Sequence, residues 1–327
     1  MARTTISDVS RAAGVSIKTV SRVLNNERYV GADTRAKVEA AVAALRFRPS
    51  TAARSLAGGR SHQIGLMCDN PSAFYVHQMQ LGVRDRCSEA GVRMIAQPYD
   101  RHGADAIEEI AQLIDTTRVD ALVLTPPITD DPVLLDRLVE RGIAFVRVAP
   151  GIGPDVSPSV FIDNAAAAGA VVRHLRELGH RRIGHVGGDP SFAASARRRA
   201  GFVAVAGDDP RLLRDGDFTF AAGLAAGAEL LALPEPPTAI VAANDEMAAG
   251  ILSAAHRLGV AVPGALSVAG FGDDAVAGVV WPQLTTVRQP TRALGYQAAD
   301  ILLDPGGARH RELPWTLVVR DSTGPAP

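Results

Sequence analysis

Two short helical patterns lie side by side near the start of the chain. Ile6, Val9 and Ala13 recur at helical spacing behind Thr5, which is placed to cap a helix whose third residue is Asp8. Gly14 offers the left-handed conformation that ends this helix, Val15 fills the turn, and Ser16 caps a second helix with Val20, Val23 and Leu24 as its buried stripe. Two short helices joined across a glycine turn predict a helix-turn-helix. A third helix is expected from Asp33 to about Leu45, with Val38, Ala41, Val42 and Leu45 on one face and Pro49 as its stop. Residues 50 to 60 read as a capped helix of about two turns ended by Gly58-Gly59, short enough to need a partner in order to fold.

From His62 onward the pattern changes to short apolar runs alternating with amphipathic stretches. IGLM, VRMIA, ALVLT and IAFVRV are the runs of a first series, with helices expected near 74–90, 104–117 and 131–141. A second series opens at VFID and continues through RIGHVG, a strand near 214–218, TAIVAAN and LSVAGF, with helices near 164–178, 195–206, 220–232 and 245–258. Each series is a parallel βαβ pattern, so the fold class is α/β: a helical head followed by two doubly wound lobes, with a ligand expected at the carboxyl ends of the strands.

Charge separates the same two parts. Residues 1–61 hold 11 Lys and Arg against 4 Asp and Glu, leaving 23 against 31 for the rest, within a chain whose net charge is −1. A basic head calls for an anionic partner, with nucleic acid first and a membrane surface second. No apolar run approaches the roughly 18 residues that span a bilayer, and the start MARTTISDVS lacks the apolar stretch of a signal peptide, so the expected location is the cytoplasm. Cys68 and Cys87, the only cysteines, fall in a strand pattern and an amphipathic helix and read as buried thiols. The only lysines are Lys18 and Lys37, which removes P-loop, Schiff-base and kinase-type lysine chemistry from the body.

The outward face of the second helix presents Ile17, Lys18, Ser21, Arg22 and Asn25. Such a set suits a major groove: an arginine binds guanine O6 and N7 with two donors, Ile17 meets a thymine methyl, and Lys18 reaches a base or phosphate. Thr5, Thr19, Ser21 and Asn25 suit phosphates, which set register. Ser16 and Arg54 complete the candidate DNA-contacting set, and the small alanines around Leu56 would let two copies of that short helix pack with Leu56 as a wedge in a widened minor groove. The bland alternatives are a solvated helical hairpin and a flexible linker.

These residues carry a resemblance. T-I-S-D-V-S-R-A-A-G-V-S-I-K-T-V-S-R-V-L-N, then T-R-A-K-V-E-A-A-V-A-A-L-R-F-R-P, then A-A-R-S-L-A-G-G-R-S, uninterrupted over about 60 residues, resemble the lactose-repressor (LacI/GalR) family, and the body resembles that family throughout. The resemblance implies a helix-turn-helix domain at 1–48, a hinge helix and linker at 49–61, and an effector-binding and dimerisation domain at 62–327. That domain resembles periplasmic sugar-binding proteins, with an N-lobe of about 62–160 and 291–318 and a C-lobe of about 161–290 and 319–327. It implies base reading by Arg22 with positions 17 and 18, and insertion of Leu56 from two hinge helices at the centre of a palindromic operator.

For the ligand cleft, Asn70, Ala73, Phe74 and Tyr75 group polar and aromatic side chains after the first strand, a combination that sugars and purines favour. The resemblance implies a ligand arginine at Arg198, within R-x-x-G-F, an aromatic ring at Phe218, and an N-D pair at Asn244-Asp245, whose groups donate to and accept from hydroxyls. Two departures stand out. Gly270-Phe271-Gly272-Asp273-Asp274 replaces the usual G-F-D-D, so glycine holds the first acidic position and Asp273 is the candidate substitute. Arg147 lies where relatives carry a smaller or acidic group; pointing into the cleft it would favour an anionic effector, and paired with an aspartate it would not.

His174, His180 and His185 are spaced unlike helical metal ligands, and G-x-S-x-G and G-x-G-x-x-G are absent from the sequence, so no metal, cofactor or enzymatic role is expected. A pure solute-binding protein would need export and no DNA-reading head. The remaining expectation is a ligand-responsive repressor of carbohydrate or related catabolic genes, bound to a palindromic operator and released by a small-molecule inducer. The absence of a heptad repeat after the last strand makes a homodimer the expected assembly.

Overall fold

The computed structural model describes residues 4–24, 29–47, 61–99 and 106–327. The chain divides into two compact units, Met1–His62 and Gln63–Pro327. Among the described residues the α-helices are α1 (Ile6–Ala13), α2 (Ile17–Leu24), α3 (Ala32–Ala44), α4 (Ala73–Glu89), α5 (Ala106–Thr117), α6 (Pro132–Glu140), α7 (Asn164–Glu177), α8 (Ala193–Ala206), α9 (Phe220–Leu231), α10 (Asp245–Arg257), α11 (Ala275–Val279) and α12 (Thr291–Leu303).

In the first unit the expected caps form. Thr5 Oγ1 accepts from the Asp8 N–H at 3.4 Å while Asp8 Oδ2 accepts from the Thr5 N–H at 2.9 Å, so two otherwise orphaned donors are satisfied reciprocally. Gly14 adopts φ 64°, and Ser16 Oγ accepts from the Thr19 N–H at 3.1 Å to start α2. Val9, Val20, Val23, Val38 and Ala41 form the core. Phe47 closes it, a position the helical pattern did not reach because it lies past the end of α3, where Arg46 takes a left-handed conformation and the Phe47 N–H returns to the Val42 carbonyl.

The second unit carries two parallel sheets. The strands β1 (Gln63–Cys68), β2 (Arg93–Pro98), β3 (Ala121–Leu124), β4 (Ala144–Val148) and β5 (Ser159–Phe161) belong to one sheet; β6 (Ile183–Val186), β7 (Leu213–Arg214), β8 (Ala239–Ala242) and β9 (Ser267–Ala269) form the other. The chain then makes β10 (Thr286–Arg288), β11 (His310–Glu312) and β12 (Thr316–Val318). The first sheet runs β11-β5-β4-β3-β1-β2 and the second β7-β6-β8-β9, while β10 and β12 pair antiparallel between residues that pass from lobe to lobe. β3, β6 and β8 are buried throughout, as expected of strands covered on both faces by helices. α12 returns to the first lobe and packs on α4, and the Arg86–Asp300 ion pair at 2.7 Å joins them.

Two details differ from the sequence-based expectation. The VFI run, β5, closes the first sheet instead of opening the second: Val148 pairs with Val160, and β11 adds outside it through His310 and Ser159. A continuous apolar run does not encode which sheet it joins. The strand expected near 214–218 is confined to Leu213–Arg214; farther on the backbone turns at Phe218, φ 70°, where Asn244 Nδ2 donates to the Phe218 carbonyl at 2.8 Å. Cys68 and Cys87 are free and buried, and burial raises the Cys87 thiol to about 11.

Candidate functional site

The strand ends of the two lobes face an open cleft with about 660 Å³ of empty space, part of it continuous with solvent. Arg198 projects from α8 into it. A Cβ on Gly201 would stand 2.1 Å from the Ala165 carbonyl oxygen, so glycine there lets α8 lie directly against the start of α7. One turn earlier, Arg198 therefore meets Asn164, the first residue of α7: Nε donates to Asn164 Oδ1 at 2.9 Å. Nη1 donates to the Ala243 carbonyl and Nη2 to Gln289 Oε1 at 3.2 Å, and the guanidinium carbon sits 3.7 Å from the centre of the Phe271 ring. Arg198 is 6 % exposed, and its three partners are neutral. Burial lowers its pKa to about 10, against the opposing charges of Tyr75, Asp245 and Asp274.

Opposite Arg198, Asn70 follows β1 and its Oδ1 accepts from the Ser72 N–H at 2.9 Å. Ser72 caps α4 and donates its hydroxyl to Asp274 Oδ2 at 2.8 Å, a bond that crosses from one lobe to the other. Tyr75 lines the cavity from the first turn of α4, its phenol pushed up by burial. Behind Asp274, buried Asp245 accepts the Asp274 N–H at 2.7 Å and the Thr286 hydroxyl at 2.5 Å. Burial raises Asp245 to about 7; the Thr286 bond opposes this and the Asp274 charge adds to it. Asp274 is also raised by burial, with the Ser72 bond and the Arg198 charge acting the other way.

The third wall is aromatic. Phe192 and Phe218 meet edge to face, 5.2 Å between centres at 82°, and both line the cavity beside Phe271. Asn244 lines it too, but its amide also serves the fold: Oδ1 caps α10 by accepting from the Met247 N–H at 2.9 Å, and Nδ2 holds the Phe218 turn.

Asn70, Tyr75, Arg198, Phe218 and Asn244 are thus brought together, and four sequence candidates are not. Arg147 is fully buried beneath the 150–157 loop, donating to the Thr129, Ile152 and Gly153 carbonyls and to Ser157 Oγ, with Asp130 at 3.7 Å. Its pairing with an aspartate removes the reason to expect an anionic effector. Asp273 takes φ 56° and turns its carboxylate to Arg288, at 2.6 Å, and to Arg320. Ala73 is exposed and Phe74 half-buried on α4, and neither lines the cavity. Ser72, Asn164, Phe192, Phe271, Asp274 and Gln289 line it without having been singled out.

On the head, Ile17, Lys18 and Arg22 are exposed on one face of α2, with Ser16 and Thr5 exposed nearby and Thr19 and Ser21 half-buried. Asn25, Arg54, Leu56 and the expected hinge helix lie outside the described residues.

A family model described as "Bacterial regulatory proteins, lacI family" matches residues 5–50, and one described as "Periplasmic binding protein-like domain" matches residues 172–323. The HTH-type transcriptional repressor PurR of Serratia proteamaculans (strain 568) is 34% identical over 92% of this chain and 89% of its own length. The chain belongs to the lacI family. Another member, the lactose operon repressor of Escherichia coli (strain K12), is 31% identical over 98% of this chain and 90% of its own. A crystal structure of the lac repressor dimer bound to operator and the anti-inducer ONPF superposes with a TM-score of 0.84 at 28% identity, covering 99% of this chain and 100% of that one. As a LacI-family member the chain is a ligand-responsive transcriptional repressor with a helix-turn-helix head and a two-lobed periplasmic-binding-protein-like domain.

The residues missed in this LacI-family cleft share a cause. Ser72 and Asp274 lie 202 positions apart, and only the closure of the two lobes joins them. Gln289 follows Leu284-Thr285-Thr286, and the signal that could have found it is its place at the lobe crossover. Among the described residues no group of three His, Cys, Asp or Glu is placed to hold a metal ion. His180 is bonded to Thr238 at 2.9 Å and to Ser267 at 3.0 Å, while His185 stacks on Phe202 and is held near 4 by burial.

Proposed function

We propose that this chain binds a two-fold-symmetric operator as a homodimer and that a sugar or related metabolite in the cleft releases it, controlling carbohydrate or related catabolic genes. The observation that carries the effector half is Arg198: a guanidinium 6 % exposed, satisfied by neutral partners, facing a cavity walled by three phenylalanines. Buried charge is expensive, and its retention in a cleft fits a ligand that supplies acceptors. Asn70, Tyr75, Phe218 and Asn244 complete the effector set.

In the head, Ile17, Lys18 and Arg22 read bases, Thr5, Ser16, Thr19, Ser21 and Asn25 bind phosphates, and Arg54 and Leu56 act at the operator centre. Release requires the inducer to bind the operator-free arrangement of the lobes more tightly than the operator-bound one. Such a regulator works beside the chromosome in the cytoplasm; among the described residues no helix is long and apolar enough to cross a membrane. The test is selection from a pool of two-fold-symmetric duplexes, followed by anisotropy titration against scrambled competitor with and without metabolites that raise the thermal midpoint. A preferred duplex released by one such metabolite is expected; no preference under any condition refutes the reading.

A further inference from the structure

Between β4 and β5 the chain makes a loop, residues 149–157, that belongs to the first lobe and reaches the second. Ala149 lines the cleft from one side, and Phe192 and Ala194, at the start of α8, line it from the other. Beside these walls Arg197 Nη2 donates to the Pro150 carbonyl at 2.7 Å, and a Cβ on Gly151 would stand 2.5 Å from the Ala193 Cβ. Glycine at 151 therefore lets the loop backbone lie directly against α8. The loop is held in that shape from below. Arg147, fully buried, donates to the Ile152 carbonyl at 2.9 Å, to Ser157 Oγ at 3.0 Å and to the Gly153 carbonyl, while Asp130 accepts the Gly151 N–H at 2.8 Å and the Ile152 N–H at 3.3 Å. These bonds all stay within the first lobe, and neither Arg147 nor Asp130 lines the cleft.

We propose that Arg147 is a positioning residue for a lobe-to-lobe latch: it sets the 150–157 loop so that Pro150 meets Arg197, and that contact favours the docked arrangement of the unliganded lobes. A buried guanidinium is costly unless its donors are used, and the loop supplies acceptors for them only while it is folded down over Arg147. The loop is thus stiff where it meets α8, and the latch itself is light. One hydrogen bond shifts a two-state balance by about two- to tenfold, which sets the resting balance yet leaves it within reach of a ligand. By linkage the same factor passes to any duplex or small molecule that binds only one arrangement. The inference requires two lobes that move relative to one another and is independent of which molecule fills the cleft.

Single-molecule energy transfer reads the balance in the full-length protein without any ligand. Dyes go on Asp136→Cys in α6 and Ala225→Cys in α9, both exposed and one in each lobe, while Cys68 and Cys87 are buried. The labelled chain is diluted into unlabelled protein so that each assembly carries one labelled subunit. Arg197→Met is expected to raise the undocked-to-docked ratio by about two- to tenfold, and Arg197→Lys, which keeps a donor, by less. Gly151→Ala, whose methyl would meet Ala193, is expected to raise it as well. Arg147→Met is expected to raise the ratio by about twofold or more and to add nothing once Arg197→Met is present. Asp130→Ala, which frees the Gly151 and Ile152 N–H groups, takes its place if Arg147→Met does not fold. An unchanged ratio in Arg197→Met overturns the proposal. So does a loop-anchor variant that lowers the thermal midpoint without moving the ratio, or one whose effect adds in full to that of Arg197→Met.

Discussion

Arg198→Met separates what the cleft does for the ligand from what it does for the fold. Burial lowers the Arg198 pKa from 12.5 to about 10, so at about 1.4 kcal/mol per tenfold change the cation costs the native state on the order of 3 kcal/mol. Against this stand hydrogen bonds to Asn164, Ala243 and Gln289, each contributing about 1 kcal/mol net, and the Phe271 face, contributing about 1 kcal/mol more. The opposing contributions nearly cancel, and methionine refills most of the volume. Unliganded stability should therefore change by less than about 2 kcal/mol, or roughly 5 °C in midpoint for a unit of this size. A ligand at a hundred times its Kd stabilises by about 2.7 kcal/mol, and that increment should vanish in the variant. Thermal denaturation of both proteins across sugars, sugar acids and nucleobases reads the two quantities together. A variant that keeps the full ligand shift, or one that loses more than about 4 kcal/mol without ligand, refutes the reasoning.

Arg22→Ala should cost roughly 1 to 3 kcal/mol and relax preference at one guanine, read by competition titration; equal weakening on scrambled DNA would contradict a base-reading role. Gly201→Ala should destabilise by about 1 to 3 kcal/mol in urea, since its methyl would meet the Ala165 backbone; a change under about 0.5 kcal/mol would mean that α7 and α8 are not held so closely. Asp245 is raised from 3.8 to about 7, so the stability that depends on its neutral form is complete below about pH 4 and is lost as pH rises through 7. Relative to Asp245→Asn, the wild type should therefore lose stability between pH 5 and 8 by on the order of a few kcal/mol, and a relative gain over that interval would overturn the assignment.

Much of this was legible because it is local. Thr5, Asp8 and Gly14 carry their capping geometry in residue type and spacing, and the alternation of apolar runs with amphipathic stretches specifies parallel βαβ units with a cleft at the strand ends. Arg198 was named through the resemblance, whose R-x-x-G-F pattern sits on a single helix, and it does line the cleft. The direction of side chains was not legible. β4 is buried from Phe145 to Val148, so no alternation reveals that Arg147 turns toward the 150–157 loop and away from the cavity. Counting residues placed Asp273 opposite an acidic position, but a left-handed backbone at Asp273 and two nearby arginines turn it outward and leave Asp274 inside.

The 150–157 loop bears on how the lobes can move. Arg197, on α8, donates to the Pro150 carbonyl at 2.7 Å, and a Cβ on Gly151 would stand only 2.5 Å from the Ala193 Cβ, so a strap rooted in one lobe rests on the other. Arg147 and Asp130 anchor that strap from below, the latter accepting the Gly151 N–H at 2.8 Å. Widening the cleft must break the Arg197 bond, at about 0.5 to 1.5 kcal/mol, whereas narrowing it presses Ala193 onto an anchored backbone. Any change in cleft width therefore has to be made against this contact, either by giving up that hydrogen bond or by shifting an anchored backbone.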